Sequence, residues 1–271
     1  MFVELKKSLL VWFSLILFSI LSIWWVTMFA RHLTDGVENQ IYTLCYPFLS
    51  LLGGIIGVMA ARKWGGMKSS FGKGIYFLAF GLLAQFFGQF MYAYYIYIAG
   101  IEVPYPSWGD LGYFGSVILY IFAVLFLGRV AGMHVNLRTI NGKLQAFLLP
   151  AIILAASYYF FLRDYTFEQS QPLKIFLDFG YPLGQALYVS LAILVLLLSR
   201  NVLGGLMRKP MLLLILALAV QYFCDFMFLY QASRGTWYVG GVNDFLYSLS
   251  YFLMTVALTY IGLMYTRVKE S

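Results

Sequence analysis

Charge is scarce in this chain. Only 11% of its residues are Asp, Glu, Lys or Arg, and 62% are hydrophobic. A soluble domain carries roughly 25% charged residues, and one of this size could not cover so many Leu, Phe and Tyr side chains. Histidine is scarcer still. His32 and His134 fall in loops on opposite sides of the topology argued below, which excludes a bis-His haem or a His metal cluster within one chain. The two cysteines, Cys45 and Cys224, both lie in apolar runs and make no disulfide framework or metal clip. No lysine sits in the middle of the seventh apolar run, which argues against a retinal Schiff base. A Gly-rich phosphate loop and a Ser-His-Asp arrangement are also missing. No catalytic residue, metal ligand or cofactor is therefore assigned. The net charge of +7 does not point to nucleic acid, because the basic residues sit in short loops rather than on one patch.

Long apolar runs are what the chain has. Eight are near the roughly 20 residues that a membrane span needs: 8–30, 41–61, 72–99, 111–132, 144–162, 174–199, 210–232 and 243–266. In lipid each backbone polar group must be paired, and the runs are too long and unbroken for barrel strands, so they predict helices. The first run is too long for a signal-peptide core and lacks a small-residue cleavage site, so it reads as a retained span. Alternate loops hold Arg62, Lys63, Lys68 and Lys73, then Arg129, Arg138 and Lys143, then Arg200, Arg208 and Lys209. With Lys6, Lys7, Arg267 and Lys269 they place 14 of 18 basic residues on one side; Arg31, Arg163, Lys174 and Arg234 are on the other. The rich side is expected to be cytoplasmic, which puts both termini there and the chain in the inner or plasma membrane.

The chain also repeats itself. AQFFGQFMYAYY at 84–95 parallels VQYFCDFMFLYQ at 220–231, and PSWGDLGYF at 106–114 parallels GVNDFLYSL at 241–249. Tyr46-Pro47 parallels Tyr181-Pro182, and the offsets are 135, 136 and 134 residues. The expected fold is therefore an all-α polytopic membrane protein, with eight transmembrane helices in two parallel four-helix repeats, 1–133 and 134–271.

Ionisable groups at membrane depth are costly and usually face a bundle interior or a wet cavity. Gln85 and Gln221 fall near the midplane, with Gln89 and Asp225 one turn further out on the same faces. Asp178, Tyr181 and Gln185 share a face of the sixth span, and Asp110 and Asp244 open the fourth and eighth. All lie in the outer half, whereas the cytoplasmic half is almost purely apolar. The expectation is a polar, aromatic-lined cavity open to the outside, walled by Tyr92, Trp108, Tyr113 and Tyr247. Asp225 is expected to meet Gln89 or Asp178, and an acid pair without a cation suits a proton or a cationic ligand. Plainer roles stay open: Asp110 and Asp244 as helix caps, the glutamines as interhelical glue, and the Tyr-Pro pairs as kinks or span starts rather than contacts.

The run QFFGQFMYAYYIYIAGIEVPYPSWGDLGYF, with DFGYPLGQALYV and CDFMFLYQASRGTWYVGGVNDFLYSLSYF, resembles the membrane input module found upstream of bacterial diguanylate cyclases, phosphodiesterases and some histidine kinases. The resemblance covers about residues 40–265. It implies a non-enzymatic sensor whose acidic positions fall on Asp110, Asp225 and Asp244. Gln89 departs from the pattern, standing where an acid would be expected. After Tyr265 only TRVKES remains, so the output is expected from a separate cytoplasmic partner or a missing domain. The other partners expected are the bilayer, a small outer-side ligand and a second copy of the chain. Two other readings stay open: a lysoplasmalogenase-like lipid hydrolase, which would need Asp225 and Asp178 to meet, and a small-solute transporter.

Overall fold

A computed structural model describes residues 8–132, 137–163, 171–198 and 208–270, without the side chains of 208 and 266–270. His134, and the basic residues Lys6, Lys7 and Arg200 used to orient the chain, lie outside the described residues. Among the described residues there is no strand, and eight helices are long and apolar enough to cross a membrane. They are Leu9–Ala30, Val37–Lys63, Ser70–Ile98, Trp108–Val130, Ile140–Leu162, Pro172–Leu198, Lys209–Ser233 and Val242–Tyr265, called spans one to eight.

Three spans begin three or four residues ahead of their apolar runs, because polar residues tie down their first turns. At span two, Glu38 takes both guanidinium nitrogens of Arg31 at 2.9 Å, and Asn39 donates to the carbonyls of Leu33 and Val239. Span four is started by a capping box, with the Ser107 amide donating to Asp110 Oδ2 at 2.7 Å. Span five starts where the Gly142 amide donates to Thr139 Oγ1 at 3.0 Å. Pro47 interrupts the regular helix of span two between Cys45 and Phe48 without separating the two parts, and Pro182 lies inside span six.

Six spans close into a ring. The second packs on the third, the third on the fourth, the fourth on the sixth, the sixth on the seventh, the seventh on the eighth and the eighth on the second. The other two are peripheral: 11% and 6% of the most apolar stretch of spans one and five is buried, against 33–56% elsewhere. Span one is held to span eight by stacked rings, Phe18 on Phe252 at 4.4 Å and Trp25 on Phe245 at 4.5 Å. Where lipid offers no hydrophobic drive between helices, close approach at small residues does the work. Spans three and four meet along such a seam. Gly74, Gly81 and Gly88, seven residues apart, receive Leu127, Tyr120 and Tyr113, also seven apart. A Cβ at Gly74 would lie 2.8 Å from Leu127, and one at Gly88 2.7 Å from Tyr113. The glycines thus lay two tyrosine rings against span three, inside the ring of helices.

Candidate functional site

The buried polar groups form two stacked layers. In the deeper layer, Gln85 of span three donates to Ser116 Oγ of span four at 2.7 Å and accepts from the Tyr251 hydroxyl of span eight at 3.1 Å. Gln221 of span seven accepts from Ser250 Oγ of span eight at 2.9 Å. Both glutamines are at most 5% exposed. Each amide ties its span to the next one in the chain, which is the glue role in its simplest form.

One turn further along, the layers diverge. Gln89 donates to the Tyr46 hydroxyl at 2.7 Å. Asp225, 5% exposed, accepts three hydrogen bonds. Gln221 Nε2 donates to its Oδ1 at 3.0 Å, the Tyr247 hydroxyl to the same oxygen at 2.9 Å, and the Tyr188 hydroxyl to Oδ2 at 2.8 Å. The partners of Asp225 are therefore two tyrosines and its own-helix glutamine, not Gln89 or Asp178. Asp178 instead accepts from the Tyr105 hydroxyl at 2.7 Å at an exposed position.

Asp110 and Asp244 do two things at once. Asp110 Oδ2 closes the capping box of span four, while its Oδ1 accepts from the Tyr181 hydroxyl of span six at 2.7 Å. Asp244 Oδ2 accepts from the Gly240 amide at 2.7 Å and Thr43 Oγ1 at 3.2 Å, and its Oδ1 accepts from the Tyr46 hydroxyl of span two at 3.4 Å. One oxygen of each carboxylate serves its own helix start. The other receives a tyrosine from the opposite half of the chain. Both the capping role and a cross-span role are thus present. Tyr46 and Tyr181, beside their prolines, are contacts, which their reading as kinks or span starts had not suggested.

The remaining expected residues lie around this assembly. Tyr92 meets the Trp237 ring edge-on at 6.3 Å, Gln185 is buried one turn below Tyr181, and Trp108 is 65% exposed at the rim. Tyr188, Tyr251, Ser116, Ser250 and Tyr120 belong to the assembly and did not stand out in the sequence, and Tyr46 belongs to it although the sequence suggested only a kink or span start there. The signal that could have placed it was the near-constant offset, since Tyr46 is the counterpart of Tyr181. Three arginines at this end have partners other than the aspartates of the assembly. Arg31 is on Glu38, Arg163 is over Tyr159, and Arg234 is over Tyr230 at 3.7 Å. Chemically the arrangement offers carboxylates, amide and phenol groups inside the helix ring, with neutral donors on Asp110, Asp225 and Asp244.

Fold and composition define a multi-pass α-helical membrane protein. No family model, curated protein or solved structure matches the chain.

Proposed function

We propose that this chain is a non-enzymatic, membrane-embedded binding and sensor protein built from two parallel four-helix units, with its carboxylate-tyrosine assembly facing the outside and both termini in the cytoplasm. The observation that carries it is Asp225, a carboxylate inside the helix ring held only by neutral donors from spans six, seven and eight. At membrane depth a bare acid costs about 2.5–3.5 kcal/mol on insertion scales, more than a purely structural hydrogen bond needs. The two-unit reading is supported by the exchange of tyrosines. Tyr46 serves Asp244 while Tyr181 serves Asp110, and interchanging spans two, three and four with six, seven and eight maps the ring of helices onto itself. A ligand bound at this interface would alter how the units pack, in proportion to its differential affinity for two packings, and span eight would carry the change to a cytoplasmic partner. The hydrolase reading draws less support, since Asp225 and Asp178 have separate partners.

The test uses the purified full chain in nanodiscs and a panel of small amines, carboxylates and neutral solutes. At least one should raise the thermal midpoint saturably, and Asp244→Asn should weaken that response. Stabilisation by no solute, or turnover of lysophospholipid by the purified chain, sinks the reading. A reporter fused after Ser271 should be active in the cytoplasm; periplasmic activity sinks the topology.

A further inference from the structure

The ionisable groups around Asp225 are chemically of one kind. Tyr188 and Tyr222 face it from spans six and seven, Tyr247 and Tyr251 from span eight, Tyr120 from span four, and Cys224 adjoins it in sequence. All are neutral acids, phenols or a thiol, and no base stands among them. A carboxylate offers about four lone-pair positions. Gln221 and Tyr247 take two on Oδ1, and Tyr188 takes one on Oδ2. One position on Oδ2 is left.

Tyr120 supplies an independent sign. It is fully buried, and its hydroxyl has no hydrogen-bond partner. Buried hydroxyls are nearly always paired, so an orphan calls for an explanation. Its ring meets the Tyr188 ring edge-on at 5.8 Å, it is near enough to Asp225 for the two to interact electrostatically, and Gly81 behind it holds the ring in place. Tyr188 thus touches both Asp225 and Tyr120, its hydroxyl bonding Asp225 Oδ2 and its ring meeting that of Tyr120, and each of the two oxygens has an acceptor position open. The further rings of Tyr222, 6.4 Å from Tyr188, and Tyr251, 6.0 Å from Tyr247, add π faces that attract cations.

We infer that the site between Asp225 and Tyr120 receives a primary ammonium group, which donates to Asp225 Oδ2 and the Tyr120 hydroxyl and supplies the positive charge that the protein omits. This rests on the binding reading above and names its ligand class. Tyr247, a half-buried member of the set that itself bonds Asp225, is the wall through which the ligand's remaining part leaves toward the acid-bearing end.

Methylammonium chloride is the probe, added to the full chain in nanodiscs against equal sodium chloride and against tetramethylammonium, a cation without N–H donors. Methylammonium should raise the thermal midpoint saturably, and the other two should not. Asp225→Asn should abolish the response. Tyr120→Phe keeps every hydrogen bond seen in the structure. It should leave the ligand-free protein at least as stable yet weaken methylammonium binding roughly tenfold, as expected for a lost hydrogen bond to a charged group. If tetramethylammonium binds equally, or Tyr120→Phe binds methylammonium as well as the native chain, the assignment is overturned. If a neutral solute binds instead and Asp225→Asn abolishes it, the binding reading stands and the ammonium class falls. If nothing in the wider panel binds, both fall.

Discussion

In the two-unit reading proposed above, Gln89 and Asp225 correspond, 136 residues apart, and their surroundings explain why one is an amide and the other an acid. Asp225 is served by Tyr188 and Tyr247. With the offset of 134 that relates Asp110 to Asp244, Tyr247 has its counterpart in Tyr113; with the offset of 135 that relates Tyr46 to Tyr181, Tyr188 falls on Gly53. Gly53 is packed so tightly that an added Cβ would collide with Thr255 Oγ1 and come within 3.0 Å of Leu82. No tyrosine fits there, so the first half lacks a donor that the second half has. An amide carries its own donor and needs only Tyr46; a carboxylate has to be given its donors. The difference teaches that the acid follows from the space on the neighbouring helix, not from the helix that bears it.

The largest effect should come from forcing the halves to match. Gln89→Asp places a carboxylate where the Tyr188 equivalent is missing, and should destabilise by about 2.5–3.5 kcal/mol. Equilibrium unfolding in mixed micelles measures this; a cost near zero would mean that donors do not set the difference. Next, Tyr188→Phe removes one of the three donors of Asp225 and should cost about 1.5–3 kcal/mol, as for a hydrogen bond to a charged group. The smallest effects should fall in the layer the halves share. Ser116→Ala and Ser250→Ala each remove one neutral partner of a buried glutamine. Each should cost about 0.5–1.5 kcal/mol. Clearly unequal losses would break the two-unit reading at the layer where it is best supported.

The eight spans were legible because a long apolar run has few alternatives in lipid. Their starts were less so: Val37, Trp108 and Ile140 begin helices ahead of the apolar runs, through Glu38, Asp110 and Thr139, whose partners are set by folding. Asp225 announced itself as an acid in an apolar helix. Its partners did not. With 22 tyrosines in the chain, nothing local separates Tyr188, which binds a carboxylate, from Tyr159, which lies exposed under Arg163. That choice is made by which helix lands beside which. Tyr46 was obscured differently, because the following proline offered a local explanation that concealed a contact 198 residues away.

The crossed tyrosines also set a schedule for biogenesis. Asp110 is synthesised 71 residues before Tyr181, and Tyr46 198 residues before Asp244. At roughly 5–20 residues per second of translation, Asp110 waits about 4–14 s for its donor. Tyr46 waits about 10–40 s for its acceptor. During that interval the early spans stand at the insertion machinery with a polar group not yet engaged by its cross-half partner. Neither set of bonds is complete within residues 1–133 or 134–271 alone, so closing the ring of helices waits for the arrival of span eight. A ribosome stalled before residue 244 would leave the early helices inserted, with Tyr46 still lacking its acceptor.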